Sequence, residues 1–165
     1  LDLLLDMWKT IGDSYRTHEL IIAGEQDIFM KRLMDRVASE KIERVSFPGK
    51  ITDAELAGYL DHADLFVFPS SHEGFGLPPI EALAHGCPVV AAYIPALVEI
   101  LPKEGVFFFR NNDRDAMIRV VDMVLKNPAD AKEQARRAKD SVTSRFNWKL
   151  VAERTLETYE RVFHA

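Results

Sequence analysis

The sequence predicts an α/β fold in which a parallel sheet is covered by helices on both faces. Short apolar runs alternate with longer segments whose apolar residues recur at helical spacing. Continuous apolar runs are typical of strands that are buried on both faces of a parallel sheet. Beyond residue 112 the pattern is helical throughout. Together these observations indicate successive strand and helix units followed by a helical carboxyl-terminal segment.

The amino-terminal half alternates between predicted helices and strands. Apolar residues recur at i, i+3, i+4 and i+7 from Leu1 onward, as on one face of a helix. Thr52 is followed three residues later by Glu55, a capping-box pattern that opens another helix. The predicted elements are a helix from Leu1 to about Thr17, a strand from Glu19 to Ala23, a helix from about Asp27 to Ser39, a strand from Glu43 to Phe47, a turn from Pro48 to Ile51 and a helix to about His62.

The second half begins with a strand that the sequence predicts to be buried. Asp64 to Phe68 is rich in aromatic and β-branched residues and is stopped by Pro69. Pro78 suits the first turn of the following helix, because the N–H that proline lacks has no partner there. Asn127 and Asn147 are predicted helix caps. The remaining elements are helices at 78–85, 96–101, 113–126, 128–145 and 148–163 and strands at 88–92 and 105–109.

Composition indicates one globular domain spanning residues 1–165. The chain is 47% hydrophobic and 28% charged, with a net charge of -5 that argues against a nucleic-acid surface. The single cysteine, Cys87, excludes an internal disulfide and is predicted to be a small packed side chain. Histidines 18, 62, 72, 85 and 164 are scattered, so we expect no metal site. No apolar stretch is long enough to cross a membrane, and a cytoplasmic location is expected.

The most informative segment runs from Ser70 to Glu81. Two glutamates, Glu73 and Glu81, flank a glycine-bearing loop that leads into a helix start. Free backbone amides near Gly76 and Leu77, and at Ile80, make this turn a suitable seat for phosphate oxygens. The carboxylates would repel phosphate, so their expected partners are sugar hydroxyls. Glu81 is expected to bind a ribose diol, and Glu73 the hydroxyls of a transferred sugar.

The predicted sheet is a doubly wound, Rossmann-like one, whose ligands bind outside the carboxyl ends of the strands. Three candidate ligand segments follow predicted strands and are expected to form a single site. They are Gly24 with Glu25, Pro48 to Thr52, and Ser70 to Glu81.

Several motifs in this order resemble the carboxyl-terminal, donor-binding domain of the retaining GT-B glycosyltransferases of family GT4. That family has a glutamate, seven residues and a second glutamate, with a Gly-Phe-Gly-Leu-Pro core and a following Ala-x-Gly-x-Pro-Val-Val. The matching segments of this chain are Glu73 to Glu81, Ala84 to Val90, Leu20 to Gly24, Val45 to Gly49, Glu99 with Ile100, and Phe146 to Trp148.

The resemblance implies transfer of a hexosyl group from a nucleotide-diphosphate sugar to an acceptor hydroxyl, with retained configuration. It implies that Glu73 is the catalytic carboxylate, that no metal or cofactor is required, and that the backbone around Lys50 and Ile51 meets the nucleotide base. It assigns donor binding to the loop and first helical turn that comprise Gly74, Phe75, Gly76, Leu77 and Glu81. The expected setting is polysaccharide or lipopolysaccharide assembly, with peripheral association of the whole protein at the inner membrane surface.

The family places a phosphate-binding Arg and Lys before its first helix, and this sequence begins within that helix. We therefore expect that the first strand and the acceptor-binding amino-terminal domain lie outside these 165 residues. The chain alone is expected to bind the donor weakly and to transfer no sugar.

Two alternatives belong to other classes. One is a non-catalytic module that binds nucleotide sugars. The other is half of a GT-B nucleotide-sugar epimerase, in which a Ser-Gly-Gly sequence is expected before the glutamate, in contrast to Ser71-His72-Glu73 here. A dinucleotide-binding fingerprint is disfavoured because Pro79 stands at the position of its third glycine.

Overall fold

Strands and helices alternate as predicted along most of the chain. The structure is a computed structural model that describes residues 1–163, so His164 lies outside the described residues. The helices are α1 Asp2–Ile11, α2 Ile28–Glu40, α3 Asp53–His62, α4 Leu77–Ala84, α5 Pro95–Ile100, α6 Arg114–Lys126, α7 Pro128–Arg145 and α8 Trp148–Phe163, with a 3-10 turn at Gly12–Ser14. The strands are β1 Leu20–Ala23, β2 Val45–Gly49, β3 Phe66–Phe68, β4 Val89–Tyr93 and β5 Val106–Arg110.

All strand pairs within residues 1–163 are parallel, which confirms the predicted α/β class. The strands form two hydrogen-bonded groups, β1 with β2 and β3-β4-β5, rather than one continuous ladder. Within residues 1–163, β1 pairs only with β2, and β3 pairs only with β4. Each of the strands β1 and β3 therefore keeps one open edge in this part of the chain. The predicted doubly wound arrangement is therefore present with an interruption between its two halves.

The open edge of β3 explains why this strand is only partly buried. Phe66, Val67 and Phe68 are only half-buried, although their sequence predicts a buried strand. Its neighbour β4 is fully buried from Val89 to Ala92. The amino ends of β1 and β3 are nevertheless close, because His18 Nε2 lies 3.6 Å from Asp64 Oδ2.

Helices connect the two strand groups through one hydrophobic core. Helix α1 packs on α6, and α4 packs on α7. The indole Nε1 of Trp8 donates to the carbonyl of Glu43 at 3.0 Å, which ties α1 to the start of β2. The phenolic oxygen of Tyr15 donates to Asp122 Oδ1 at 2.7 Å, which ties the end of the first helical segment to α6.

Most predicted helix starts are confirmed by their caps. Thr52 and Glu55 form the predicted capping box, and Asn147 Oδ1 accepts from the amide of Leu150 at 2.9 Å. Asn127 is the N-cap residue of α7, as predicted with Pro128, but its side chain makes no capping hydrogen bond and donates instead to the carbonyl of Met123. Asn127 therefore ends α6 and also begins α7, where its carbonyl accepts from the amide of Ala131 at 3.2 Å and Pro128 occupies the first turn.

The end of α1 and both ends of β2 differ from the prediction, and β3 begins at Phe66 rather than at the predicted Asp64. Helix α1 ends at Ile11, before the predicted Thr17, and Gly12 is packed so closely on Trp8 that an added Cβ would lie 3.2 Å from the indole. Strand β2 starts at Val45 because Arg44 has a positive φ of 54°, which a strand does not accommodate. The predicted turn residues Pro48 and Gly49 extend β2, and Gly49 pairs with Ala23.

Helix α8 packs differently from the others. None of its described residues is buried, and Trp148 is 86% exposed. The exposed large apolar residues of this helix are Trp148, Val151, Leu156, Tyr159, Val162 and Phe163.

The buried thiol of Cys87 should make stability depend on pH in the alkaline range. Cys87 is 2% exposed, which agrees with the predicted packed side chain, and burial raises its pKa from 9.0 to about 12. The folded state holds this proton more tightly than the unfolded state. The contribution of the protonated thiol to the free energy of unfolding is therefore complete below pH 9 and is lost as the pH rises toward 12. The loss is about 1.4 kcal/mol per pH unit inside that window.

The measurement is urea unfolding of the wild type and of Cys87→Ala at pH 8, 10 and 11. We expect the stability difference between the two proteins to shrink as the pH rises. Tyr15, whose pKa is raised to about 12 by burial and by its hydrogen bond to Asp122, titrates equally in both proteins and cancels. A difference that stays constant with pH would contradict the prediction.

Candidate functional site

The loop between β3 and α4 is shaped by a glycine with a left-handed backbone. Gly76 has φ +93° and precedes the first residue of α4. An added Cβ at this position would lie 2.4 Å from Leu97 Cδ2, and Leu97 is fully buried. Both the backbone angle and the available space therefore require glycine here. Helix α5, which carries Leu97, sets how the loop enters α4.

The backbone amides of this loop have no protein partners. Among the residues that the structure describes, the amides from Glu73 to Leu77 donate no hydrogen bond to another protein group. The next two positions, Pro78 and Pro79, have no N–H to donate. These unpaired donors stand at the amino-terminal end of α4, where the helix dipole favours negative charge. The arrangement is able to bind anionic or hydroxyl oxygens of a ligand.

The two predicted glutamates flank these amides, and their side chains are available. Glu73 is half-buried in the loop, whereas Glu81 is exposed on α4. Within residues 1–163, neither carboxylate takes part in an ion pair or in a side-chain hydrogen bond. An unpaired carboxylate keeps both oxygens free to accept hydrogen bonds from hydroxyl groups.

An aromatic contact fixes the side of the loop that faces α7. Phe75 is 45% exposed and packs edge-on against Phe146, with 5.8 Å between the ring centroids. The guanidinium carbon of Arg145 lies 5.0 Å from the Phe146 centroid. The sequence pattern placed Phe146 only before the last helix and gave no indication of this contact. Phe146 therefore supports the loop although it lies 71 residues after Phe75 in the chain.

The start of the loop is held by two serines. Ser70 Oγ donates to the carbonyl of His72 at 3.1 Å, and Ser71 Oγ lies 3.0 Å from His72 Nδ1. His72 itself is exposed. These local bonds order the segment immediately before Glu73.

The other two predicted ligand segments meet at the carboxyl ends of β1 and β2. The amide of Gly24 donates to the carbonyl of Gly49 at 3.0 Å, and Lys50 Nζ lies 3.0 Å from Glu25 Oε1. Lys50 is exposed, and Ile51 is half-buried immediately before the cap of α3. The structure therefore brings Glu25 and Lys50 together, as predicted for neighbouring strand ends.

These two groups of loops belong to different hydrogen-bonded strand groups. The loop from Ser70 to Glu81 follows β3, whereas Glu25 and Lys50 follow β1 and β2. Their common feature is that each follows the carboxyl end of a parallel strand. No ladder of hydrogen bonds among the described strands fixes the distance between them.

Residues 1–163 contain neither a candidate metal site nor a helix that could span a membrane. In the described part of the chain, no group of three or more His, Cys, Asp or Glu side chains is arranged to hold a metal ion. None of the helices formed by residues 1–163 combines the length and apolar character that crossing a membrane requires.

Comparison with known proteins gives a consistent result at the level of sequence. Residues 1–127 match a family described as "Glycosyl transferases group 1". The chain is 36% identical over 152 residues to the glycogen synthase of Mycobacterium tuberculosis, an alignment that covers 87% of this chain and 36% of that protein. The chain thus spans little more than a third of the length of this relative.

Solved structures agree with the sequence match. The chain is similar to the carboxyl-terminal domain of a glycosyl transferase group 1 family protein, LpcC, from Francisella tularensis. The TM-score is 0.76 at 25% identity, and the alignment covers 88% of this chain and 78% of that one. The fold also matches Anabaena HepE in complex with UDP-glucose, with a TM-score of 0.83 at 20% identity over 97% of this chain and 44% of that one.

Proposed function

Because the chain belongs to the group 1 glycosyltransferases and corresponds to the carboxyl-terminal domain of their GT-B fold, we propose that it binds the nucleotide-diphosphate sugar of a retaining hexosyltransferase. The observation that carries this proposal is the row of unpaired amides from Glu73 to Leu77 between two unpaired carboxylates. The amides suit the oxygens of a diphosphate or sugar, and the carboxylates suit hydroxyls. The HepE complex with UDP-glucose supports the same ligand class.

Each side of the loop has a proposed role. Glu73 accepts hydrogen bonds from hydroxyls of the transferred sugar, and Glu81 accepts them from the ribose diol. The amides of Gly74, Phe75, Gly76 and Leu77 donate to phosphate or sugar oxygens. The backbone at Lys50 and Ile51 meets the base, where the ion pair between Lys50 and Glu25 borders the site.

The proposed reaction breaks the bond between the sugar and the diphosphate and forms a bond to an acceptor hydroxyl on the same face of the ring. The departing phosphate takes the acceptor proton, so no protein base is required. Catalysis then depends on positioning and on stabilising the charge that develops on the leaving diphosphate.

We propose that a further strand lies between β1 and β3 in the whole enzyme. Each of these strands has one open edge among the described residues, and the contact between His18 and Asp64 brings their amino ends together. Open edges of this kind are normally paired or covered. An acceptor-binding domain would complete the protein, whose proposed role is the assembly of a polysaccharide or lipopolysaccharide. The whole protein would then work in the cytoplasm, at the inner membrane surface.

The isolated chain is expected to bind donor weakly and to transfer no sugar. Residues 70–81 contain no lysine or arginine, so the amides alone would have to balance the charge of the diphosphate. Titration calorimetry with UDP-glucose and with GDP-mannose measures this affinity. Tight binding of either compound by the 165-residue chain would contradict the expectation.

Replacing Gly74 by alanine tests the proposed ligand position. An added Cβ at Gly74 meets no protein atom within 4 Å, and the backbone there has no positive φ that would strain alanine. Stability should therefore be unchanged, whereas a methyl group between the ligand and the amides should weaken donor binding about tenfold. The measurement is an NMR shift titration of both proteins with UDP-glucose and with GDP-mannose.

Gly58→Ala is the matched control. Gly58 lies inside α3, and an added Cβ there also meets nothing within 4 Å. This change should raise stability by roughly 0.5–1 kcal/mol and leave donor binding unaltered. Equal donor affinities of Gly74→Ala and the wild type would show that the loop does not hold the ligand.

A further inference from the structure

A cluster of aromatic and polar side chains lies at the carboxyl ends of β4 and β5, outside the site described above. Tyr93 pairs with Arg110, and Ala91 pairs with Phe108, so Tyr93, Phe108 and Arg110 share one face of the sheet. The rings of Tyr93 and Phe108 pack edge to face, with centroids 5.7 Å apart. Tyr93 is nevertheless 60% exposed. The last residue of β4 thus presents an aromatic surface to solvent.

The cluster lines an open depression of about 420 Å³, formed by Tyr93 and residues 108–111. An adjoining polar depression of about 370 Å³ is lined by residues 110–115, so Arg110 and Asn111 border both. The Oδ1 atom of Asn111 is buried and has no hydrogen-bond partner within the described part of the chain. This oxygen is closed to solvent, so a ligand in the depression contacts other atoms of Asn111.

The charges around the depressions balance. Arg110 and Arg114 stand beside Asp113 and Asp115, and Arg114 is paired with Asp115 at 3.2 Å. Asp113 Oδ1 is occupied as the cap of α6, where it accepts from the amide of Ala116. A balanced rim does not favour an anionic ligand such as a free nucleotide. It favours a neutral ligand that combines an apolar surface with several hydroxyl groups.

We propose that the Tyr93 cluster, defined as Tyr93, Phe108, Arg110 and Asn111, is a subsite for one pyranose unit of a carbohydrate chain. The C–H face of a pyranose ring packs on the exposed ring of Tyr93, as apolar groups pack on aromatic faces. The guanidinium of Arg110 donates to a hydroxyl oxygen. Few well-placed polar groups around an aromatic wall are typical of ligand sites.

The position of the cluster relates it to sugar transfer. Strand β4 is the neighbour of β3, and both carboxyl ends lie on the same edge of the sheet as the loop from Ser70 to Glu81. Helix α5, which begins two residues after Tyr93, carries the Leu97 side chain that packs against Gly76. The reading as an acceptor subsite, remote from the transferred sugar, rests on the proposed function. Carbohydrate binding by the cluster itself does not depend on the proposed function.

The test is an NMR titration of the 165-residue chain with maltotriose and, separately, with methyl α-mannopyranoside. We expect shift changes centred on Tyr93 and residues 108–111 for at least one of these probes. Tyr93→Ala should raise the dissociation constant about tenfold.

Tyr159→Ala is the matched control, since Tyr159 on α8 is 61% exposed, as Tyr93 is 60% exposed. It should leave binding unchanged. Absence of shift changes at the cluster with both probes, or equal affinities of the wild type and Tyr93→Ala, would overturn the proposal. UDP-glucose and GDP-mannose are titrated separately into the same samples. Absence of shift changes at residues 73–77 with both donors, together with binding of a carbohydrate probe at the cluster, would contradict the proposed function and leave this inference standing.

Discussion

Replacement of Glu73 by glutamine is expected to lower the rate of sugar transfer by about 10²- to 10³-fold in the whole enzyme. Glutamine keeps the shape of the side chain, but it removes the negative charge and one acceptor oxygen. No ion pair or side-chain hydrogen bond of the described residues uses this carboxylate, so the fold should not respond. The measurement is initial rates by product mass spectrometry across a panel of nucleotide-sugar donors.

Two further variants test the role of the second glutamate and provide a control. Glu81→Gln should act mainly on donor affinity, because Glu81 is proposed to hold the ribose rather than the reacting sugar. Glu104→Gln is the control, since Glu104 is exposed and precedes the amino end of β5, the opposite edge of the sheet. Full activity of Glu73→Gln would remove the proposed catalytic role, and full activity of both loop variants would remove the site.

Replacement of Gly105 by alanine is expected to destabilise the domain by roughly 3 kcal/mol, the sum of a left-handed backbone penalty and overpacking. Gly105 has φ +73°, and an added Cβ would lie 2.6 Å from the Cα of Ala135. Ala135 is fully buried on α7, so the clash is with backbone and a side-chain rotation does not relieve it. Gly105 also accepts a hydrogen bond from the amide of Val89, so a shift disturbs β4.

Gly86→Ala separates the two contributions. Gly86 has nearly the same backbone angle, φ +74°, but an added Cβ there meets nothing within 4 Å. It should therefore show only the conformational penalty of about 1–2 kcal/mol. Urea unfolding of both variants gives the difference. If Gly105→Ala were no less stable than Gly86→Ala, the close packing of α7 on this turn would be refuted.

Local sequence signals were sufficient for most of the helices. The bounds of α7 and α8 agree with the prediction, because Pro128 at the start and Asn147 between the two helices are strong local markers. The capping box at Thr52 is equally local, since both hydrogen bonds join residues three positions apart. These features depend only on neighbouring residues, so they can be predicted from the sequence.

Several errors of prediction arose where distant residues decide the structure. The segment that follows α1 is held by Tyr15, which donates to Asp122, 107 residues away. The half-buried state of β3 depends on which strand lies at its other edge. Hydrophobicity alone predicts that β3 prefers burial, but it does not determine how much cover it receives.

The candidate site divides in the same way. The glutamates, the glycines and the helix start were visible in the spacing from Glu73 to Glu81. The support that Phe146 gives to Phe75, and the unpaired oxygen of Asn111 beside Tyr93, were not visible. These contacts join segments that are adjacent only after the strands have paired.

The sequence by itself determined the order and type of the elements, the parallel α/β class, and the chemistry carried by the loop after β3. It did so because backbone propensity, capping and apolar periodicity act over a few neighbouring residues. Only the tertiary structure decided that the ladder is interrupted between β1 and β3, that Gly105 must accommodate α7, and that Tyr93 and Asn111 form one surface. Such outcomes depend on close packing between distant segments, where differences of an ångström determine which side chains fit.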